Sequence, residues 1–166
     1  MTITLTGFMG CGKSSTGRKL AEILGWEFID LDTYIEHKIG QNIPEIFADS
    51  EQRFRAIEAE AVRDVVTMKE ITGGNLVLAL GGGTFCNAVV RDFLLSRTET
   101  VWLAATEKTL EGRLATGTGE RPMLQNTDWK ALLSERTAYY QLAEKHIDTD
   151  SLTPEEAAII ISKWNR

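Results

Sequence analysis

Gly7-Phe8-Met9-Gly10-Cys11-Gly12-Lys13-Ser14 fill the pattern GxxxxGK[ST], in which glycines, one lysine and one hydroxyl are spaced to wrap backbone around phosphate. Glycines at 7, 10 and 12 let successive N–H groups turn inward where a Cβ would obstruct them. Lys13 offers a mobile positive charge to outer phosphates, and the Ser14 hydroxyl is an oxygen ligand suited to Mg²⁺. The chemistry indicated is capture of a nucleoside triphosphate.

Three further groups have the residue types of a transfer site. Asp30 and Asp32, in Phe28-Ile29-Asp30-Leu31-Asp32, stand at i and i+2 at the end of a β-prone stretch, so both are expected to leave one face of a strand. One carboxylate is then available to Mg²⁺ or its water, the other to the proton of a substrate hydroxyl. The competing reading makes Asp32 only the N-cap of a helix beginning near Thr33. Gly81-Gly82-Gly83 follows Val77-Leu78-Ala79-Leu80 and permits close approach of a ligand to backbone, unless it is a plain tight turn. Many phosphate-loop enzymes end the strand before this point in an acid that helps hold the metal. This chain does not, which leaves that duty to Ser14 and Asp30.

Arginines complete the set: Arg55 with Glu58 at i, i+3, Arg121 in a glycine-bearing loop, and Arg136. Singly each suits a solvated surface. Together in an acidic chain, guanidinium groups at a triphosphate cleft are equipped to grip a substrate carboxylate or to neutralise phosphoryl charge. His37 and His146 have no such context, the first reading as a helix-surface residue and the second as a strand end.

The elements that must position these groups alternate. β-Prone segments at Ile3–Thr6, Glu27–Ile29, Leu76–Leu80, Thr100–Leu103 and His146–Ile147 are separated by helical patterns, which predicts an α/β chain with a parallel sheet and helices on both faces. The phosphate loop runs from the first strand into a helix ending at Gly25, so a helix N-terminus faces the anion. Helical spacing is clear over Ser50–Thr67 and Asp128–Glu144. Thr153, Pro154 and Glu156 form an N-cap, first helical residue and capping-box partner. Thr116-Gly117-Thr118-Gly119-Glu120-Arg121-Pro122 breaks the pattern and is a candidate lid.

With 166 residues the chain suits one domain. A net charge of −6 and a pI near 5.0 argue against a nucleic-acid partner. There is no apolar run near the ~20 residues of a membrane span and no signal-peptide pattern, so neither a membrane nor secretion is expected. Cys11 and Cys86 lie in glycine-rich turns without disulfide or zinc spacing, which suits a cytoplasmic thiol state. Cys11 reads as a small residue in a tight loop.

As an ordered set, these motifs resemble the shikimate kinase family: Gly7 to Ser14, Phe28 to Asp32, Phe54-Arg55-Ala56-Ile57-Glu58, Gly81-Gly82-Gly83, Arg121-Pro122-Met123-Leu124 and Arg136-Thr137-Ala138-Tyr139. The resemblance implies a P-loop fold of the nucleoside-monophosphate-kinase type with strand order 2-3-1-4-5, a shikimate-binding region near 32–60 and a lid near 110–125. It implies transfer of the ATP γ-phosphate to the 3-hydroxyl of shikimate by a monomer, with one Mg²⁺ at Ser14 and Asp30. Gly10, Cys11, Gly12, Lys13, Ser14 and Ser15 would hold ATP phosphates, with Arg113 and Pro154 at the base and Arg121 swinging in on the transferring group. Asp32 would bind shikimate hydroxyls and receive the proton. Arg55 and Arg136 would pair with the carboxylate, and Gly81, Gly82 and Gly83 would face the ring. Kinases of other small molecules on this fold, such as a gluconate kinase, remain the nearest alternative. A nucleoside monophosphate kinase is disfavoured, since no nucleobase signature follows Asp32. A non-catalytic nucleotide-binding module would not need Asp32, Arg55, Arg121 and Arg136 together.

Overall fold

A computed structural model describes residues 1–116 and 128–164. Its five strands are β1 (Thr2–Thr6), β2 (Glu27–Asp30), β3 (Leu76–Ala79), β4 (Glu99–Ala104) and β5 (Lys145–Asp148). They form one parallel sheet in the order β2-β3-β1-β4-β5, as expected. Every residue of β1 and β3 is buried, which is why both read as apolar or β-branched runs. In register, Leu5 of β1 lies between Ala79 and Val101. The Leu80 N–H still donates to Leu5 O, at 3.1 Å, and carries the pairing one residue past β3.

The helices are α1 (Lys13–Leu24), α2 (Leu31–Ile39), α3 (Ile43–Asp49), α4 (Glu51–Thr72), α5 (Ala88–Arg97), α6 (Glu107–Thr116), α7 (Trp129–Tyr140) and α8 (Pro154–Lys163). Leu20 and Ala21 of α1, Val62 and Val66 of α4, and Ala158 and Ile161 of α8 close the core over the sheet. The capping box at Thr153 and Glu156 forms as expected, and α8 packs along α1.

Two helix ends differ from expectation. α4 runs on to Thr72 and stops at Gly73 and Gly74, whose φ angles of 72° and 93° lie in the left-handed region. α7 begins after Asp128 but stops at Tyr140 rather than Glu144. Beyond it the His146 ring Nε2 lies 3.1 and 2.9 Å from the carbonyl oxygens of Gln141 and Ala143, groups that a continuing helix would have used itself. Among the described residues no helix is long and apolar enough to cross a membrane.

The strand order places the site. The chain leaves β1 toward β2 on one side and leaves β3 toward β4 on the other, so a crevice opens between their carboxyl ends. The loops after β1 and β3 and the end of β2 meet there.

Candidate active site

The loop after β1 has the predicted backbone. Gly7, Gly10 and Gly12 take φ of 141°, 82° and 99°. Gly7 is required twice over, since a Cβ there would also stand 2.7 Å from Leu103 O and 2.8 Å from Cys11 Sγ. Cys11 is buried in that tight packing. α1 starts at Lys13 with Gly12 at its N-cap, no capping side chain and no acid in its first turn. Its first N–H groups are therefore left for an anion, with the helix dipole behind them. The Lys13 ammonium donates to Gly7 O at 2.8 Å and Phe8 O at 3.0 Å, which holds the charge against the loop it serves.

Asp30 and Asp32 reach the crevice by a different route from the one the spacing predicts. β2 ends at Asp30, and Asp30, not Asp32, is the N-cap of α2, its Oδ1 accepting from the Thr33 N–H at 3.3 Å. Asp32 lies in the first helical turn, so the two acids are not neighbours on one strand face. They converge because a β-to-α turn at the sheet edge aims both into one cavity. The Ser14 hydroxyl donates to Asp30 Oδ2 at 2.5 Å, which pairs the two predicted metal ligands. Among the described residues no group of three or more His, Cys, Asp and Glu side chains forms a metal cluster. One hydroxyl and one carboxylate fit Mg²⁺, which keeps waters and substrate phosphate oxygens as its other ligands.

Burial lifts the Asp32 carboxyl to about 6, with the charges of Asp30 and Glu58 adding to the rise and Lys13 opposing it. A carboxyl that binds its proton more tightly in the folded than in the unfolded chain adds stability at low pH. That stability is present below the ordinary value of 3.8 and is lost as pH rises through about 6. The ligand-free Asp32→Asn variant is therefore expected to be more stable than wild type by about 1–3 kcal/mol near pH 8, the difference shrinking toward pH 4. Denaturant melts of both proteins across that range check it, and a difference that does not change with pH would contradict it.

The glycine run after β3 is needed for space, since none of Gly81, Gly82 and Gly83 has a positive φ. A Cβ on Gly81 would stand 2.9 Å from Asp32 Oδ1, and one on Gly83 would stand 2.7 Å from Arg55 Nη1. On Gly82 it would meet Arg136 Nη1 at 3.4 Å. The turn is thus a floor pressed against the acid and both arginines. Tyr140 fixes that floor by donating its hydroxyl hydrogen to Gly82 O at 2.5 Å. Arg55 donates to Glu58 Oε2 at 2.9 Å and lies over the rings of Phe54 and Phe47, 5.2 and 5.8 Å from their centroids. Glu58, 2% exposed, and Arg136, 8% exposed, are buried charges rather than surface residues.

Three adjoining cavities follow the crevice. The middle one, about 560 Å³, is lined by Gly10, Gly12, Lys13, Ser14, Ser15, Asp30, Asp32, Gly81, Gly82 and Arg113. A second, about 290 Å³, shares Asp32, Gly81 and Gly82 with it and adds Arg55, Glu58, Gly83 and Arg136 under an apolar wall of Ile43, Pro44, Phe47 and Phe54. The third, about 310 Å³, extends the other way past Cys11 and Ser15 to Arg113, Thr149, Leu152 and Pro154. Arg113 is fixed there by donating to Thr149 O at 2.6 Å and to Cys11 O at 3.3 Å. This is a linear site with the glycine loop and the α1 N-terminus at its centre, a carboxylate at the junction, and a chamber bearing two arginines at one end.

Comparison with known proteins gives the arrangement a family. The sequence model of shikimate kinase matches residues 9–164. The chain belongs to the shikimate kinase family. It is 44% identical to a shikimate kinase of Thermus thermophilus, over 98% of this chain and 89% of that protein. A crystal structure of shikimate kinase from Bacteroides thetaiotaomicron superposes with a TM-score of 0.88 at 28% identity, covering 99% of this chain and 98% of that one. Another, shikimate kinase from Acinetobacter baumannii in complex with shikimate, has a TM-score of 0.86 at 35% identity, covering 99% and 92%.

Of the residues that the resemblance to shikimate kinases singled out, Arg121 and the motif Arg121-Pro122-Met123-Leu124 lie outside the described residues. The others to which that resemblance gave a binding, catalytic or metal-holding role line the three cavities. Sequence reasoning missed the wall on α3. Its signal was present: Asn42 and Glu45 form a capping box with Pro44 in the first turn. Glu36 Oε1 also accepts from the Ile43 N–H at 2.8 Å, which ties the start of α3 to α2. Tyr140, Thr84 and Thr149 had no local signal, because their partners are 26 to 58 residues away.

Proposed function

We propose that this chain transfers the γ-phosphoryl group of ATP to the 3-hydroxyl of shikimate, giving shikimate 3-phosphate and ADP, a step of aromatic amino acid biosynthesis. The observation that carries this reading is the chamber holding Arg55 and Arg136 over a glycine floor, joined to the phosphate loop through Asp32. A small ring acid with several hydroxyls presents the complementary groups. Its carboxylate meets two guanidinium groups, and its reacting hydroxyl meets the one acid at the junction. The solved Acinetobacter baumannii relative is described as a complex with shikimate, which supports the same substrate here.

Position in the cavities supports the following roles. In the cavity from Gly10 to Pro154 the base end lies toward Arg113 and Pro154, and the phosphates lie over Gly10 to Ser15. Lys13 has three N–H donors and uses two on loop carbonyls. Among the described residues the third has the Cys11 sulfur at 3.9 Å, a weak acceptor that a phosphate oxygen replaces with profit. Asp32, held up by burial, is the group that accepts the hydroxyl proton as the oxygen attacks phosphorus. Ser14 and Asp30 would hold Mg²⁺, which would supply positive charge to the phosphates of ATP. Arg121 contributes charge to the transferring group from a lid near residues 110–125, and the region near 32–60 binds shikimate. The expected setting is the cytoplasm, and the expected working unit a monomer, as the resemblance to shikimate kinases implies. With its net charge of −6, nucleic acid is not a partner.

A coupled assay of ADP release across shikimate, gluconate, AMP and CMP tests the reading. Release that depends on shikimate alone supports it. Release with gluconate or a nucleotide, or ATP binding with no acceptor-dependent release, would replace it. The metal assignment makes a separate prediction. Asp30→Asn should raise the Mg²⁺ concentration needed for half-maximal rate by about tenfold, while Asp32→Asn should lower the rate at every Mg²⁺ concentration. Mg²⁺ titrations of the two variants that coincide would contradict the division of labour.

A further inference from the structure

We infer that Thr84 is a positioning residue for substrate binding, acting through Glu58 on Arg55. This rests on the shikimate reading above and adds a residue that lines none of the three cavities. Thr84 is fully buried at the start of the short 3-10 turn Thr84–Cys86, directly after the glycine floor. Its backbone N–H donates to Gly81 O at 3.3 Å, and its hydroxyl donates to Glu58 Oε1 at 2.6 Å. The other Glu58 oxygen takes the Arg55 guanidinium at 2.9 Å. One carboxylate therefore receives a neutral donor on one oxygen and a cation on the other, and its rotation is fixed from both sides.

The arrangement follows from what a buried carboxylate needs. Glu58 has almost no access to water, so each of its oxygens must find a donor within the protein. If the Thr84 hydroxyl is removed, Oε1 loses its partner. The carboxylate then turns toward Arg55 and engages more of the guanidinium. Arg55 no longer presents the same N–H groups to the chamber. The phosphate loop is not part of this chain of contacts. The defect should therefore appear in shikimate binding and not in nucleotide binding.

The test is steady-state kinetics of Thr84→Val, which keeps the branched shape without the donor, and of Thr84→Ser, which keeps the donor. Each is assayed with shikimate and with its neutral carboxamide analogue. Thr84→Val is expected to raise KM for shikimate about tenfold, with KM for ATP unchanged and kcat within about threefold. Its preference for the acid over the amide should shrink by a similar factor. Thr84→Ser should stay within about threefold of wild type on every measure. If the valine variant proves unstable, Thr84→Ala is read in the same way, because the acid-to-amide ratio does not depend on the fraction of active protein. An unchanged ratio in the donor-less variants, or equal losses in both substrates and kcat, would overturn the inference and leave Thr84 a packing residue. Wild type run alongside separates the two levels: failure to phosphorylate shikimate at all removes the functional reading and this inference with it.

Discussion

Lys13→Ala is expected to lower kcat by on the order of 10³-fold, the largest effect of any single substitution in the site. As the γ-phosphoryl group leaves, negative charge builds on the outer phosphates in a cavity where Lys13 is only 9% exposed. An ammonium already fixed against Gly7 O and Phe8 O meets that charge with little reorganisation. The Gly7 and Phe8 carbonyls it leaves behind belong to buried residues, so the variant should fold with a loss of about 1–3 kcal/mol. Rapid-quench measurement of the transfer step, with calorimetric melting to confirm folding, checks both parts. Near-normal transfer in a folded variant would remove Lys13 from the chemistry.

Arg55→Ala is expected to act on binding instead. Its guanidinium is held by Glu58 and the rings of Phe47 and Phe54 before any substrate arrives, so its contact with a carboxylate exists in the ground state. Loss of that contact should weaken shikimate by roughly 2–5 kcal/mol, part of which is the cost of leaving the carboxylate unpaired in a desolvated chamber. Wild type should also discriminate against the carboxamide analogue, and Arg55→Ala much less. A calorimetric double cycle of protein variant against analogue isolates the pair. A coupling energy indistinguishable from zero would mean that Arg55 does not touch the carboxylate.

Much of this site was legible because its parts are local. The phosphate loop is written in eight consecutive residues whose glycine φ values its pattern demands, and the parallel sheet follows from the alternation of apolar runs with helices, whereas its strand order came from the resemblance to shikimate kinases. The acids were legible as a pair for a reason that proved incomplete. Their convergence depends on Asp30 capping α2, a three-dimensional turn that spacing along an extended strand does not describe. Burial was the least legible property. Taken singly Arg136 suits a solvated surface, and only the packing of the floor after β3 against α4 and α7 makes it and Glu58 interior groups. The contacts that fix that floor, Tyr140 to Gly82 and Thr84 to Glu58, join positions far apart in the chain. Gly81 to Gly83 announced a close approach, but what approaches is the protein's own acid and arginines.

The central claim is that phosphorus moves from ATP to one hydroxyl of shikimate. ³¹P–¹H correlation spectroscopy of the reaction of the purified protein with MgATP and shikimate tests it most directly. The account predicts a single phosphomonoester coupled to the ring proton at the 3-position, formed one for one with ADP. ADP accompanied by inorganic phosphate with shikimate recovered unchanged, or an ester at another hydroxyl, would contradict it.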